Sequence, residues 1–195
     1  MKLRYVVIAL VIVVIVICLA MFFTKRSSEF PFDPRLRELL KNVEESIVVT
    51  TVFSEGSSIP RRYTCDGQDV SPPLTISNIP KNARALVIIM LDPDAPKGVF
   101  YHWILIDVPS NISHIPENIP KKPVVDIGTQ LKNDFGYNGY GGPCPPPGTK
   151  HRYFIIVIAL DKELGLPPTA SLDQLYNAMK GHVIAYGYTY GTYSR

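Results

Sequence analysis

No stretch of this chain gathers lysine and arginine beyond neighbouring pairs, and 20 basic against 17 acidic residues leave a net charge of only +3. Without a basic face or arm there is no electrostatic footprint for a nucleic acid, and that class of partner is excluded. No G-x-S-x-G elbow presents a serine nucleophile. The four histidines and three cysteines follow none of the familiar local spacings of metal sites. Charged residues make up 19% of the chain against 46% hydrophobic, which describes a globular protein rather than a disordered one. No internal repeat is visible. What the chain does have is proline, 18 residues, together with 11 tyrosines. Strands joined by stiff loops fit that composition better than a helical bundle.

The organising stretch is LVIIMLDPDAPKGVFYHWILIDV, residues 86–108. Two apolar runs rich in β-branched residues, 86–91 and 103–108, read as buried strands on either side of a charged turn. The turn carries Asp92, Pro93, Asp94 and Pro96, and the second strand opens with His102 and Trp103. Each proline fixes its own φ and biases its predecessor towards extended backbone, so the turn is stiff. Carboxylates are costly to bury alone; these are exposed, paired, or placed for a ligand.

Residues 5–23 form 19 residues without a charge, flanked by Lys2, Arg4, Lys25 and Arg26. About 20 apolar residues cross a bilayer as a helix, and no A-x-A-like cleavage site follows. The expectation is an uncleaved signal anchor over 1–27: a single-pass cell-membrane protein with its domain outside the cytoplasm. Within a second segment, 28–46, Asp33-Pro34 is expected to open a helix, with Leu36, Leu39, Leu40 and Val43 on one face docking on the domain. From residue 47 the pattern is of strands: 47–53, a short 59–62, 85–91, 102–108, 153–160 and 182–190. Residues 171–180 read as a helix opened by a capping box of Ser171 and Gln174. The stretch 110–148, rich in proline and glycine, is too long for an ordinary connection. An antiparallel β-sandwich or barrel over 47–195 with peripheral helices follows.

A second polar cluster lies in residues 136–154. Its glycines let backbone approach a ligand, and His151 and Tyr153, two apart, share one face of a strand. If the two strand ends meet, Asp92, Asp94, His102, His151 and Tyr153 line one cleft. Imidazole, phenol and glycine N–H groups can all donate to an anionic oxygen. Against this stand a turn-capping role for Asp92, a salt bridge between Asp94 and Arg152, and structural roles for the histidines.

YTCDG at 63–67, SPPL at 71–74, DPDAP at 92–96, HW at 102–103, GPCPPPGTKHRY at 142–153, GH at 181–182 and GTYSR at 191–195 carry a resemblance. Over roughly 47–195 the chain resembles the phosphatidylethanolamine-binding protein family, in particular its bacterial and archaeal branch. The resemblance implies a two-sheet β-sandwich, a large antiparallel sheet packed on a smaller one with helices at the periphery. It also implies a pocket for phosphate-like anions or phospholipid head groups, formed by Asp92, Asp94, Pro96, His102, Gly142, Pro143, His151 and Tyr153. No cofactor, metal or catalytic residue goes with that reading. The expected function is a membrane-anchored binding module. The alternatives are a serine protease inhibitor acting through a loop within 110–148, and a hydrolase using an Asp–His pair. Cys65 and Cys144 are either free thiols or a disulfide tying two loops beside the pocket.

Overall fold

The computed structural model describes residues 32–195, and Phe32–Arg195 form one compact unit. In chain order the elements are α1 (Pro34–Leu40), β1 (Val48–Thr50), a 3-10 turn (Arg61–Tyr63), β2 (Leu74–Ser77), β3 (Ala85–Asp92) and β4 (Phe100–Pro109). There follow β5 (His114–Ile115), β6 (Val124–Val125), β7 (Gly128–Gln130), β8 (Lys150–Leu160), α2 (Leu172–Met179) and β9 (Val183–Ser194). One sheet has three strands in the order β1-β2-β5; the other has six, in the order β6-β7-β4-β3-β8-β9. Every ladder is antiparallel.

The centre of the large sheet is β3, buried at all eight positions. Its unbroken apolar run is what a strand covered on both faces requires. On one side Ile88, Met90, Trp103, Leu105, Ile155 and Val157 meet Val49, Leu74, Ile76 and Ile115 of the small sheet in a single core. On the other side lie the helices: the Tyr101 and Tyr176 hydroxyls meet at 2.6 Å, and the Phe32 ring packs edge-on against Phe154. Buried Trp103 donates Nε1–H to Gln130 Oε1 at 2.7 Å, and the Gln130 amide donates to the Pro120 and Lys122 carbonyls. That amide ties the long 110–148 stretch, with β5–β7 inside it, to the sheet.

Both helix signals are realised. Asp33 Oδ1 accepts the Arg35 N–H, and Ser171 and Gln174 form the reciprocal capping box. Leu36 and Leu40 of α1 are buried. Two expectations need correction. The short strand at 59–62 is a single parallel bridge, Ser58 to Thr192, followed by the 3-10 turn, because Pro60 has no N–H to continue a ladder. No transmembrane helix is part of the described fold. The helices α1 and α2 have seven and eight residues, and no helix among the described residues is long and apolar enough to cross a membrane. The expected span, 5–23, lies outside the described residues.

Because Leu36 is fully covered, Leu36→Ala is expected to lower unfolding stability by about 3 kcal/mol in urea denaturation. A loss below about 1 kcal/mol would mean that α1 does not dock as described.

Candidate functional site

Three strands converge at one end of the large sheet. Asp92 ends β3 opposite Phe100, and Leu91 pairs with Tyr101 on one side and Phe154 on the other. The rings of His102 and Tyr153 therefore meet edge-to-face at 5.2 Å, and His151 stacks with Tyr153 at 6.5 Å. Asp92, His102, His151 and Tyr153 are each 5% exposed or less. These are four of the eight residues named from the sequence, and the structure brings them into one buried cluster.

The two imidazoles sit in different surroundings. His151 Nδ1 donates to Asp92 Oδ2 at 2.7 Å, while Asp92 Oδ1 accepts the Asp94 N–H at 2.8 Å. His151 Nε2 faces Thr149 Oγ1 at 3.2 Å. His102 has no carboxylate of its own; its Nδ1 donates to the Gly141 carbonyl at 2.6 Å. A carbonyl can only accept, so Nδ1 carries the proton and Nε2 of the neutral ring is a lone-pair acceptor. Burial pushes the His102 pKa below the ordinary histidine value; the Gly141 carbonyl and the Asp92 charge oppose that without cancelling it.

Tyr153 is the anomaly of the cluster. Its hydroxyl is fully buried and makes no hydrogen bond among the described residues. The Cys144 N–H and the Asp92 carboxylate both bear on the phenol without reaching hydrogen-bonding geometry. Burial, and then the Asp92 charge, push its pKa well up, so the group is a neutral donor. A buried donor left unpaired costs about 1–3 kcal/mol.

The remaining residues take other places. Asp94 holds Arg152 by its Nε at 2.9 Å and an Nη at 2.6 Å, and also accepts the Arg152 N–H. Pro96 is exposed and lines a shallow depression of about 400 Å³ with Val99, Phe100 and Asp134. The glycine N–H groups expected to hold an anion are already engaged. Gly141 N–H donates to the His102 carbonyl at 2.9 Å, and Gly142 N–H to Asp69 Oδ1 at 2.6 Å. A Cβ on Gly142 would stand 2.5 Å from the Tyr63 carbonyl, so glycine is needed there for two backbones to approach, not for a ligand. The Pro143 carbonyl accepts the Cys65 N–H, and Cys65 and Cys144 are joined as a disulfide with Cα atoms 5.4 Å apart. Sequence reasoning missed Asp69 and the rings of Phe100 and Phe135, which lie 5.0 and 5.3 Å from His102. Among the described residues no three His, Cys, Asp or Glu side chains are grouped to hold a metal ion.

The family model described as phosphatidylethanolamine-binding protein matches residues 49–194. The chain belongs to the phosphatidylethanolamine-binding protein family. A UPF0098 protein of Pyrococcus horikoshii is 48% identical over 154 residues, which are 77% of this chain and 77% of the relative. A UPF0098 protein of Archaeoglobus fulgidus is 47% identical over 157 residues, 80% of this chain; the match spans only about half, 53%, of that relative. Among solved structures, a phosphatidylethanolamine-binding protein homologue from Chlamydia trachomatis aligns with a TM-score of 0.71 at 36% identity, covering 78% of this chain and 99% of the other. Escherichia coli YbcL, described as a new member of the mammalian family, aligns with a TM-score of 0.70 at 25% identity, covering 77% and 99%. In this family member the polar cluster falls within the matched residues, from Asp92 to Tyr153.

The Arg152 guanidinium is the main cause holding the Asp94 carboxyl below the usual carboxylate range. A depressed carboxyl contributes stability that is complete above its unfolded pKa and is lost as pH falls through the folded one. Arg152→Ala should therefore cost stability by a constant amount at neutral pH, with the gap to wild type closing on acidification below about pH 4. Urea unfolding at a series of pH values measures this; a gap that stays constant down to about pH 2 would exclude the pair as its source.

Proposed function

We propose that this protein is a binding module for a small phosphate-like anion that enters the Asp92–His102–His151–Tyr153 cluster together with a proton. The observation that carries the reading is the buried, unpartnered Tyr153 hydroxyl. An anionic oxygen beside it would accept the phenolic proton and remove the cost of an unpaired donor. Membership of a family described by phosphatidylethanolamine binding supports the same ligand class, a phosphate ester or a phospholipid head group.

The proton follows from His102. With Nδ1–H committed to Gly141, the neutral ring offers Nε2 as an acceptor and nothing to an oxygen that also only accepts. A protonated phosphate meets both neighbours, giving its O–H to His102 Nε2 and receiving the Tyr153 O–H. The ligand that fits is a singly protonated phosphate or phosphate monoester. Sulfate has nearly the same shape and no proton at neutral pH, so it would leave Nε2 facing a bare oxygen.

Calorimetry with inorganic phosphate, a phosphate monoester and sulfate tests this. A monoester such as O-phosphorylethanolamine gives up its last proton at about pH 6. It should lose roughly tenfold in affinity per pH unit between about pH 7 and pH 8, whereas inorganic phosphate still carries one proton there. Sulfate should bind at least about tenfold more weakly than phosphate at neutral pH, and Tyr153→Phe should weaken phosphate by about tenfold. Equal affinity for phosphate and sulfate, or a flat pH profile for the monoester, would overturn the proton-coupled reading.

A further inference from the structure

The loop at residues 63–69 contributes none of the four clustered side chains, yet it holds the backbone that sets the His102 tautomer. The Tyr140 hydroxyl donates to the Tyr63 carbonyl at 2.6 Å. Gly142 N–H donates to Asp69 Oδ1 at 2.6 Å, and Cys65 N–H to the Pro143 carbonyl at 3.1 Å. The Cys65–Cys144 disulfide closes the same seam covalently, across 79 residues of sequence. Residues 140–144 are therefore fastened to 63–69 at four successive points. Gly141, whose carbonyl accepts the His102 proton, sits in the middle of them.

The 63–69 loop is itself fixed. Asp66 accepts the Tyr193 hydroxyl at 2.8 Å and pairs with Arg195 Nε at 3.2 Å, which ties the loop to β9 and the residue after it. Its backbone carbonyl accepts Arg61 Nε at 2.7 Å. Asp69 adopts a positive φ of 54°, unusual for a residue with a side chain, and also pairs with Lys121. The left-handed backbone there marks a residue held in place by its surroundings. Cys65 lies at the surface, within reach of a small thiol, and Cys144 is half-buried.

We propose that this seam is a redox-controlled clamp on His102, in which Asp69 is a positioning residue and the Cys65–Cys144 disulfide is the lock. A dithiol reductant opens the lock. The S–S bond breaks, each sulfur gains a hydrogen, and the reductant is oxidised to its own disulfide. Three hydrogen bonds then have to hold the seam without the covalent tie. As the Gly141 carbonyl loosens and water reaches the ring, His102 is no longer held as a buried acceptor, and the site loses its means of distinguishing a protonated oxyanion from an unprotonated one. The anion-binding reading supplies the ligand for this proposal; the effect on His102 itself does not depend on it.

The test is a titration of the full-length chain carrying ¹³C-labelled histidine, followed by NMR without any ligand. The forms compared are oxidised, dithiothreitol-reduced, Asp69→Ala and Asp69→Asn, with His114 and His182 as internal references. Burial is the largest cause of the low His102 midpoint, so reduction and Asp69→Ala should both move that midpoint up towards the ordinary histidine value. Asp69→Asn keeps an oxygen for the Gly142 N–H and should leave the midpoint near wild type. An unchanged His102 midpoint after reduction overturns the lock. A shift in Asp69→Asn as large as in Asp69→Ala overturns the positioning role, since charge rather than placement would then be the cause. Should Asp69→Ala fail to fold, Asp69→Gly, which suits the positive φ and also lacks the carboxylate, takes its place in that comparison. In a second arm, the preference for phosphate over sulfate should fall from about tenfold towards parity on reduction. If neither anion binds any form while the His102 midpoint still moves, the clamp stands and the anion reading fails.

Discussion

A strand buried on both faces has to end somewhere, and where β3 ends the chain must place polar groups inside a dry protein. Eight consecutive buried residues run from Ala85 to Asp92, and the last of them is a carboxylate. Burying that charge without a partner would cost several kcal/mol. The partner is supplied by the neighbouring strand: His151, the second residue of β8, delivers Nδ1–H to Asp92, and the turn beyond β3 supplies the Asp94 N–H. Much else at this end of the sheet follows from satisfying that one terminus. Asp94 is turned outward onto Arg152, and the DPDAP turn is pinned to β8 from both of its acidic residues.

The second imbalance is left open on purpose of geometry rather than charge. His102 and Tyr153 lie against each other, one offering a lone pair and the other a proton, with neither directed at its neighbour in hydrogen-bonding geometry. The Tyr153 hydroxyl is covered by protein and has no partner among the described residues, and the two polar atoms are complementary in character without being mated to each other. The ligand proposed above would have to both donate and accept. The cluster lacks the features of an anion site built from helix N-termini or free glycine N–H groups, because the nearest glycine N–H groups are engaged in holding the loop.

Much of this could be read from the sequence, for identifiable reasons. β3, β4 and β8 are long and strongly apolar, and α2 carries a capping box that the structure realises on both sides. Such elements are determined locally, and their signals are local. The short strands β5–β7 are not: two or three residues each, they are held by the buried Gln130 amide and by pairing of β5 with β2, β7 with β4 and β6 with β7. Nothing in their own composition announces them. The same holds within the site. Asp92, His102, His151 and Tyr153 stand in compact motifs, whereas Asp69 reaches Gly142 across 73 residues and belongs to no motif quoted for the family resemblance. The glycines were recognised as places of close approach, but the sequence could not say that another loop, rather than a ligand, makes the approach.

That substitution of a loop for a ligand changes what the glycine-rich segment does. A flexible glycine loop that wraps an anion would gain its order only on binding, and would lose affinity to the entropy of that ordering. Here the segment is ordered beforehand by three hydrogen bonds and a disulfide, so the cost is met during folding. Under the proposed function its contribution to recognition would be indirect: Gly141 fixes which nitrogen of His102 holds the proton, and that choice would determine which oxyanions fit. On that proposal, specificity would be set one layer behind the side chains that touch the ligand.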